Sequence, residues 1–309
     1  MKIVLLADIT AGHILPLLKI QSELKKRNDD VEVVAFEHKI SRSLIKNGQF
    51  YKPFNSFKEY TNFLKIFDGY DKKTVFISGG GRITLVFLGL YTKGYKNLYT
   101  YEFNAIFGRS NKLIQPFVKK TFTYFPFKKK KCLNVGSPLE FKCKEQILNK
   151  ELKKILFLTG SNGSEEVFKL ADELSGYDIT ISTGVKEYKF KSKVKTCGFI
   201  QSFLYTDYDL IVARSGAGTI ADIISYRVPV IFIPSKHVKA DHQKKNVLAL
   251  QKYTKIKFLD YEKQDKEHLE ELIEYYKPKE TREDLIKSYN GFFHDDVLNK
   301  VLDEIEKNV

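Results

Sequence analysis

Short apolar runs alternate with amphipathic segments along the chain, and this alternation occurs in two successive series. Lys2–Ala7 has the pattern of a buried strand, and residues 15–26 carry apolar side chains at helical spacing. Residues 154–159 and 164–174 repeat the same order in the second half of the chain. Strands that alternate with helices are typical of parallel sheets with helical crossover connections. The sequence therefore predicts an α/β protein with two doubly wound, Rossmann-like domains.

The predicted domain boundary lies in a charged stretch without strong periodicity, residues 138–150. The 309 residues are enough for two domains, each with its own core. We place the domains at residues 1–140 and 141–309. Ligands of open α/β sheets bind beyond the carboxyl ends of the strands. We therefore expect the site in a central cleft that both domains face.

Positive charge is concentrated in the first predicted domain. Residues 72–139 contain thirteen Lys and Arg and one acid, Glu102, and so supply 12 of the 14 net positive charges. Such asymmetry favours an anionic partner, although solvated lysines are an alternative. No nucleic-acid-binding module is recognisable, so we predict no nucleic acid partner and favour an anionic membrane surface. The longest apolar stretch, residues 85–91, is far shorter than the roughly 20 residues that span a bilayer, which indicates a soluble or peripheral protein.

Aromatic side chains recur at helical spacing between lysines in residues 52–67. The members of this aromatic stripe are Phe54, Phe57, Tyr60, Phe63, Leu64 and Phe67. Together with the lysines at 128–131, the stripe could dock the N-terminal domain on anionic lipid. The alternative is that the stripe belongs to the hydrophobic core.

Two patterns are compatible with metal or redox chemistry but favour other roles. The Asp-Tyr-Asp sequence at 207–209 directly precedes a predicted strand, a position that suits turns and caps. The cysteines are odd in number and lack metal or redox spacing. They are Cys132, Cys143 and Cys197. We interpret them as reduced thiols, and we predict no metal site.

Small residues follow the predicted strands at the places where a ligand would lie. Gly12 and His13 come just after the first strand, where an imidazole can accept a proton from an attacking hydroxyl. A helix-capping histidine without a chemical role is the alternative. Ser161 and Asn162 lie in a glycine-flanked turn whose backbone N–H groups can hold a diphosphate.

The segment 214–219 is the best phosphate-binding candidate by local physics, because small residues, hydroxyls and a helix N-terminus converge after a buried strand. Its members are Arg214, Ser215, Gly216, Ala217, Gly218 and Thr219. Asp222, one turn into the helix, can accept hydrogen bonds from sugar hydroxyls. It is otherwise a surface acid that complements the helix dipole. His242 and Gln243 lie in a further polar segment that follows a strand.

In order along nearly the whole chain, these segments resemble the MurG-like UDP-N-acetylglucosamine glycosyltransferases of glycosyltransferase family 28. The resemblance is carried by Ala-Gly-His-Ile-Leu-Pro at 11–16, three glycines at 79–81, Tyr-Glu-Phe-Asn-Ala at 101–105, Val-Gly-Ser-Pro at 135–138, Gly-Ser-Asn-Gly at 160–163, and the segments 214–222 and 241–246. It implies a GT-B fold, with the final helix, about residues 295–307, packing back on the N-terminal domain. It also implies an inverting, metal-independent transfer of N-acetylglucosamine from its UDP form to a polyprenyl-diphosphate-linked acceptor, without a cofactor.

The resemblance implies donor-side roles for residues of the second domain. Ser161 and the turn 215–219 would contact the diphosphate, and the backbone at Phe199 and Ile200 would hold the uracil. Asp222 would take the ribose or donor role. The donor sugar would be contacted by His242 and Gln243.

On the acceptor side, the resemblance implies that His13 faces the reacting centre as the general base, with Glu102 and Asn104 beside it. The departures from the family pattern fall mainly here, since Asp8 and Ile9 stand where the family has glycines. The donor is therefore better indicated than the acceptor.

Two other interpretations keep the same fold. One is hydrolysis or epimerisation of a UDP-sugar, and the other is a catalytically degenerate subunit that binds a nucleotide-sugar and recruits a partner to the membrane. We favour the transferase, with a UDP-sugar donor and a lipid-linked glycan acceptor as its partners. We expect it in the cytoplasm, peripheral on the inner face of the cell membrane.

Overall fold

The computed structural model describes residues 1–27, 29–141, 147–236 and 238–307. It divides into two compact units. The first comprises Met1–Leu139 together with the C-terminal residues from Asp296, and the second comprises Glu140–Asp295. Cys143 of the sequence analysis lies outside the described residues.

The described part of the first unit contains a parallel sheet of seven strands, in the order β3-β2-β1-β4-β5-β6-β7. In chain order its elements are β1 (Lys2–Ala7), α1 (Ala11–Lys26), β2 (Asp30–Phe36), α2 (Lys39–Leu44), β3 (Gln49–Tyr51), α3 (Phe57–Leu64), β4 (Val75–Ser78), α4 (Val86–Thr92), β5 (Leu98–Glu102), α5 (Arg109–Ile114), β6 (Lys120–Thr123) and β7 (Cys132–Asn134). The strand order reverses between β1 and β4, so the loops that follow these two strands meet at one edge of the sheet.

The described part of the second unit contains a parallel sheet of six strands, in the order β10-β9-β8-β11-β12-β13. Its elements are β8 (Lys154–Leu158), α6 (Glu165–Glu173), β9 (Asp178–Ser182), β10 (Lys195–Cys197), β11 (Leu210–Ala213), α7 (Ala217–Tyr226), β12 (Val230–Phe232), α8 (His242–Leu250), β13 (Lys257–Phe258), α9 (Lys266–Tyr276) and α10 (Lys279–Ser288). Here the order reverses between β8 and β11. The predicted α/β architecture with two parallel sheets is confirmed.

The last helix, α11 (Val297–Glu306), is part of the first unit. Arg27 at the end of α1 donates to Glu306 at 3.1 Å and to the side-chain oxygen of Asn299. Lys120 of β6 forms an ion pair with Glu304 at 3.6 Å. The apolar face of the helix is buried, with Val301 and Ile305 fully covered. Both polar contacts and burial therefore hold α11 against the first unit.

The aromatic stripe is part of the core of the first unit. Phe63 and Phe67 are 6% and 0% exposed, and Phe54 packs edge-on against Phe36 with ring centroids 5.3 Å apart. Phe57 differs from the rest of the stripe because it is 80% exposed. The interpretation of the stripe as a lipid-docking face is therefore wrong, and the core alternative is right, because helical spacing marks a buried face whichever partner covers it.

No helix among the described residues combines the length and the apolar character needed to cross a bilayer.

Candidate functional site

A pocket of about 670 Å³ opens in the second unit where the strand order reverses. Loops after β8, β11 and β12 form its walls. Its lining residues are Thr159, Gly160, Ser161, Asn162, Gly163, Ser164, Glu165, Glu166, Lys169, Lys186, Arg214, Gly216, Thr219, Ser235, Val238 and Gln243. The carboxyl edge at a topological switch point is where open α/β sheets bind nucleotides and related ligands. Six predicted site residues lie on this wall: Ser161, Asn162, Arg214, Gly216, Thr219 and Gln243.

The turn between β8 and α6 depends on glycine at both of its ends. Gly160 has φ +82° and Gly163 has φ +71°, a conformation that L side chains rarely adopt. A Cβ at Gly163 would also overlap the carbonyl oxygen of Thr183 and the Cβ of Lys186. The turn therefore lies in close contact with the loop after β9, and it exposes Ser161 and Asn162 toward the pocket.

Arg214 connects three loops of this pocket through hydrogen bonds. Its Nη1 donates to the carbonyl oxygens of Ile233 and Pro234, each at 3.0 Å. Its Nη2 donates to Ser164 Oγ and, at 2.8 Å, to Glu166 Oε2. The residue is 5% exposed. Its guanidinium thus joins the ends of β11 and β12 to the start of α6, which is a structural role besides the predicted contact with a ligand.

A second set of hydrogen bonds fixes the start of α8 against the loop after β11. Ser215, which is fully buried, donates to the carbonyl oxygen of Gln243 at 3.0 Å. Asn246 donates to the carbonyl oxygen of Ser215 at 3.2 Å, and the Gln243 side chain accepts from Ser235 N at 2.8 Å. Ser215 therefore positions the wall of the pocket, and Gln243 lines it.

The remaining donor-side predictions lie outside the lining of this pocket. Ala217 and Gly218 form the first turn of α7, and Asp222 follows one turn later, where its charge helps to raise the pKa of Tyr205, a shift caused mainly by burial. His242 is the first residue of α8. Phe199 and Ile200 follow β10, and Phe199 is 66% exposed.

In the first unit, His13 lies in the first turn of α1, directly against the loop that follows β4. A Cβ at Gly80 would lie 3.5 Å from His13 Nε2 and 3.8 Å from Asn111 Nδ2, so both polar groups flank this glycine. Gly12 is exposed beside His13 and has open space around its Cα. Asn111 lies on α5, and the sequence analysis missed it because α5 carried no predicted motif.

Asp8 joins the two loops at this edge of the first sheet. Its carboxylate accepts from Ile9 N at 2.7 Å and from Arg82 N. A Cβ at Gly81, which has φ +81°, would overlap this carboxylate. Asp8 therefore uses two backbone N–H groups that would otherwise be available to an anion, at the position where the family pattern has glycine.

Glu102 organises the loop that follows β5. It is 3% exposed, and its carboxylate accepts from Asn104 N at 3.1 Å, Gly108 N at 2.7 Å and Asn111 Nδ2 at 3.0 Å. Burial raises the pKa of Glu102, while these hydrogen bonds act in the opposite direction. The side chain of Asn104 also reaches this carboxylate, at 3.5 Å. The structure thus brings Glu102, Asn104 and Asn111 together, and Asn111 and the His13 imidazole both lie beside Gly80.

Asp209 of the Asp-Tyr-Asp sequence is 3% exposed and accepts from Lys153 N at 2.9 Å and Lys154 N at 2.8 Å. It caps the start of β8, as the sequence position suggested. Within the described ranges, no group of three or more His, Cys, Asp and Glu side chains is arranged to hold a metal ion.

Comparison with known proteins places the second unit in a family. Residues 141–300 match the model of the glycosyltransferase family 28 C-terminal domain. The chain is 28% identical to the UDP-N-acetylglucosamine--N-acetylmuramyl-(pentapeptide) pyrophosphoryl-undecaprenol N-acetylglucosamine transferase of Thermosipho africanus, with 81% of this chain and 84% of that protein covered. It is equally identical to the enzyme of the same name from Caldanaerobacter subterraneus subsp. tengcongensis, with 86% and 88% covered.

Solved structures agree with the fold. Acinetobacter baumannii MurG superimposes with a TM-score of 0.80 at 19% identity, over 99% of this chain and 100% of that one. A UDP-GlcNAc 2-epimerase from Neisseria meningitidis superimposes with a TM-score of 0.65 at 12% identity, over the full length of both chains. At these identities the likeness establishes the fold alone, and it confirms the predicted GT-B fold.

Proposed function

Because this chain belongs to glycosyltransferase family 28, we propose that it transfers N-acetylglucosamine from UDP-N-acetylglucosamine to a polyprenyl-diphosphate-linked acceptor, a precursor of a cell wall or a related glycan. The observation that carries the proposal is the pocket in the second unit, where two strand-to-helix turns rich in glycine and hydroxyl groups converge. Such turns present backbone N–H groups and positive helix ends to a diphosphate. The N-acetylglucosamine transferases of Thermosipho africanus and Caldanaerobacter subterraneus, whose name describes this reaction, support the choice of donor and acceptor.

In this proposal the second unit holds the donor and the first unit, which includes α11, holds the acceptor. Ser161, Thr219 and the backbone of 215–219 contact the diphosphate. Phe199 and Ile200 hold the uracil, and Asp222 a ribose or sugar hydroxyl. The donor sugar lies against the side chains that begin α8, His242 and Gln243.

The reaction is proposed to invert the anomeric carbon without a metal ion. His13 accepts the proton of the acceptor hydroxyl while that oxygen attacks C1 of the sugar from the face opposite the diphosphate. Glu102 and Asn104 act by fixing the loop that follows β5, since the buried Glu102 carboxylate is occupied by hydrogen bonds from that loop. Helix N-termini and basic side chains stabilise the charge of the departing UDP.

The membrane partner is proposed to lie against the basic surface of the first unit, on the inner face of the cell membrane. Two lysine–aromatic pairs support this surface: Lys96 lies 3.5 Å from the ring centroid of Tyr91, and Lys129 lies 4.3 Å from that of Phe107. Leu113 nearby in sequence is 56% exposed. An amphipathic surface of this kind binds anionic lipid through both charge and apolar contact.

Vesicle binding tests the membrane partner. The double variant Lys128→Glu, Lys130→Glu should bind vesicles of phosphatidylglycerol at least about tenfold more weakly, on the scale of about 1 kcal/mol per basic residue. The control Lys189→Glu, Lys193→Glu makes the same charge change in the second unit and should bind like the wild type. Equal binding by both double variants would refute this surface.

The reaction itself is tested with UDP-N-acetylglucosamine and a short-chain polyprenyl diphosphate that carries N-acetylmuramyl-pentapeptide. We expect UDP release that depends on the acceptor and a lipid product that is heavier by one N-acetylhexosamine. UDP release without acceptor would indicate hydrolysis, and inversion at C2 of the donor sugar would indicate epimerisation. Binding of UDP without either reaction would indicate the degenerate subunit.

A further inference from the structure

Among the described residues, three basic side chains line the donor pocket, and two of these end in exposed ammonium groups. They are Arg214, Lys169 and Lys186. The Arg214 guanidinium is buried and already donates to Ile233, Pro234, Ser164 and Glu166. Lys169 and Lys186 are both exposed at the pocket wall. A diphosphate in this pocket therefore meets two mobile ammonium groups in addition to backbone N–H groups.

Lys186 reaches the pocket because its loop packs against the glycine turn after β8. Val185 N donates to Ser161 O at 3.0 Å, and a Cβ at Gly184 would overlap the carbonyl oxygens of Gly160 and Ser161. The Cβ of Lys186 packs so closely against Gly163 that a Cβ at Gly163 would overlap it. These contacts fix the backbone of Lys186 beside the proposed diphosphate site, while the four-carbon side chain stays free to move.

The Lys186 ammonium lies 2.7 Å from Glu165 Oε1. The two side chains are 41% and 59% exposed, and ion pairs at such exposed positions contribute little. The ammonium nevertheless holds the pKa of Glu165 below its ordinary value. Lys186 therefore has a weak partner that an anion of higher charge can displace.

Lys169 lies four residues after Glu165 on α6, so the two side chains share one face of the helix. Among the described residues, the Lys169 ammonium makes no ion pair with an acid. Lys169 and Lys186 thus come from α6 itself and from the loop after β9, and both line the pocket with Glu165.

We propose that Lys169 and Lys186 bind the diphosphate of the donor, and that Lys186 leaves Glu165 for a phosphate oxygen when the donor enters. This assignment rests on the proposed function. When the bond between C1 and the diphosphate oxygen breaks, its electron pair stays on that oxygen and adds one negative charge to UDP. The acceptor oxygen forms the new bond to C1, and its proton goes to the base. The two ammonium groups stabilise the added charge.

Calorimetric binding of UDP and uridine to the full chain tests the assignment. Lys186→Gln and Lys169→Gln should each weaken UDP binding by about five- to tenfold, the scale of one charge-assisted contact at a partly solvated site, and leave uridine binding unchanged. Lys189→Gln, an exposed lysine of the same loop that does not line the pocket, is the matched control. Glu165→Gln should tighten UDP binding by about twofold or more, because it removes both the competing partner and a repulsive charge.

The outcomes separate this inference from the proposed function. If the wild type binds UDP and both lysine variants bind it as Lys189→Gln does, the lysine assignment is overturned and the proposed function stands. If the wild type binds no UDP, both are overturned. Weaker UDP binding by Glu165→Gln would overturn the exchange of partners by Lys186. Thermal unfolding of each variant shows that the fold is retained, as the exposure of all four side chains leads us to expect.

Discussion

Arg214 offers the sharpest test of how the donor pocket is built. In Arg214→Met, the carbonyl oxygens of Ile233 and Pro234 lose donors at 3.0 Å in a buried region. The Pro234 carbonyl oxygen keeps the hydrogen bond that Gln264 Nε2 donates at 2.8 Å, so only the Ile233 carbonyl oxygen loses its side-chain donor without a replacement. An unsatisfied buried acceptor costs about 1–2 kcal/mol. Glu166 adds little, because its side chain is 37% exposed and can be rehydrated. We therefore expect the free energy of unfolding to fall by about 1–2 kcal/mol, which lowers the Tm by roughly 2–8 °C for a domain of this size.

Urea unfolding and UDP calorimetry on the same samples measure this effect. Arg214→Lys keeps the positive charge, but its single ammonium group cannot reach all the acceptors that the planar guanidinium contacts at once. Its loss of stability should be about half that of Arg214→Met. The control Arg42→Met removes an exposed arginine that is paired with Glu37, and it should stay within about 0.5 kcal/mol of the wild type. If Arg214→Met unfolds like the wild type and yet fails to bind UDP, then Arg214 is a ligand of the diphosphate and the structural reasoning is refuted.

Three further predictions concern the first unit and the reaction. Gly81→Ala should lower the free energy of unfolding by at least about 3 kcal/mol, because the new Cβ would overlap the Asp8 carboxylate. The control Gly94→Ala also has a positive φ, +92°, but has open space around it and should cost about 1 kcal/mol. Equal losses in urea unfolding would contradict the role of Asp8. Burial raises the pKa of Glu102, so the Glu102 carboxyl group binds its proton more tightly in the folded state than in the unfolded state. The stability of the wild type relative to Glu102→Gln should therefore fall as the pH rises from about 4.3 through the raised pKa. Unfolding measured between about pH 4 and 8 checks this, and a relative stability that rises with pH would show that the hydrogen bonds outweigh burial. Transfer to the lipid acceptor should be unchanged after dialysis against EDTA, and a loss that Mg²⁺ or Mn²⁺ restores would refute the metal-independent reaction.

The central strands of both sheets were predictable because they are buried on both faces and are bounded by turn residues. Asp178–Ser182 and Leu210–Ala213 match the sequence prediction residue for residue, and β8 differs by one residue at its end. The edge strands were not predictable, since β3, β7, β10 and β13 have only two or three residues and show no apolar period. The prediction that the aromatic stripe docks on lipid was wrong for another reason. Periodicity identifies a face that must be covered, but it carries no information about what covers that face.

Residues of the candidate site fall into two groups according to how the fold brings them together. Those that follow a strand directly, such as Ser161 and Gly216, could be placed from the sequence because the carboxyl ends of parallel strands share one edge. Lys186 could not, since it reaches the pocket only through the contact of its loop with the glycine turn at 160–163, and no local pattern encodes that contact. Asp8 is visible in the sequence as a departure from the family's glycines, but its effect depends on Arg82, 74 residues away. In the first unit its carboxylate takes two N–H groups that the proposed acceptor phosphate could otherwise use, so in the proposed reaction this phosphate depends more on side-chain cations. The thirteen Lys and Arg of residues 72–139 are the candidates for that role in the proposed reaction.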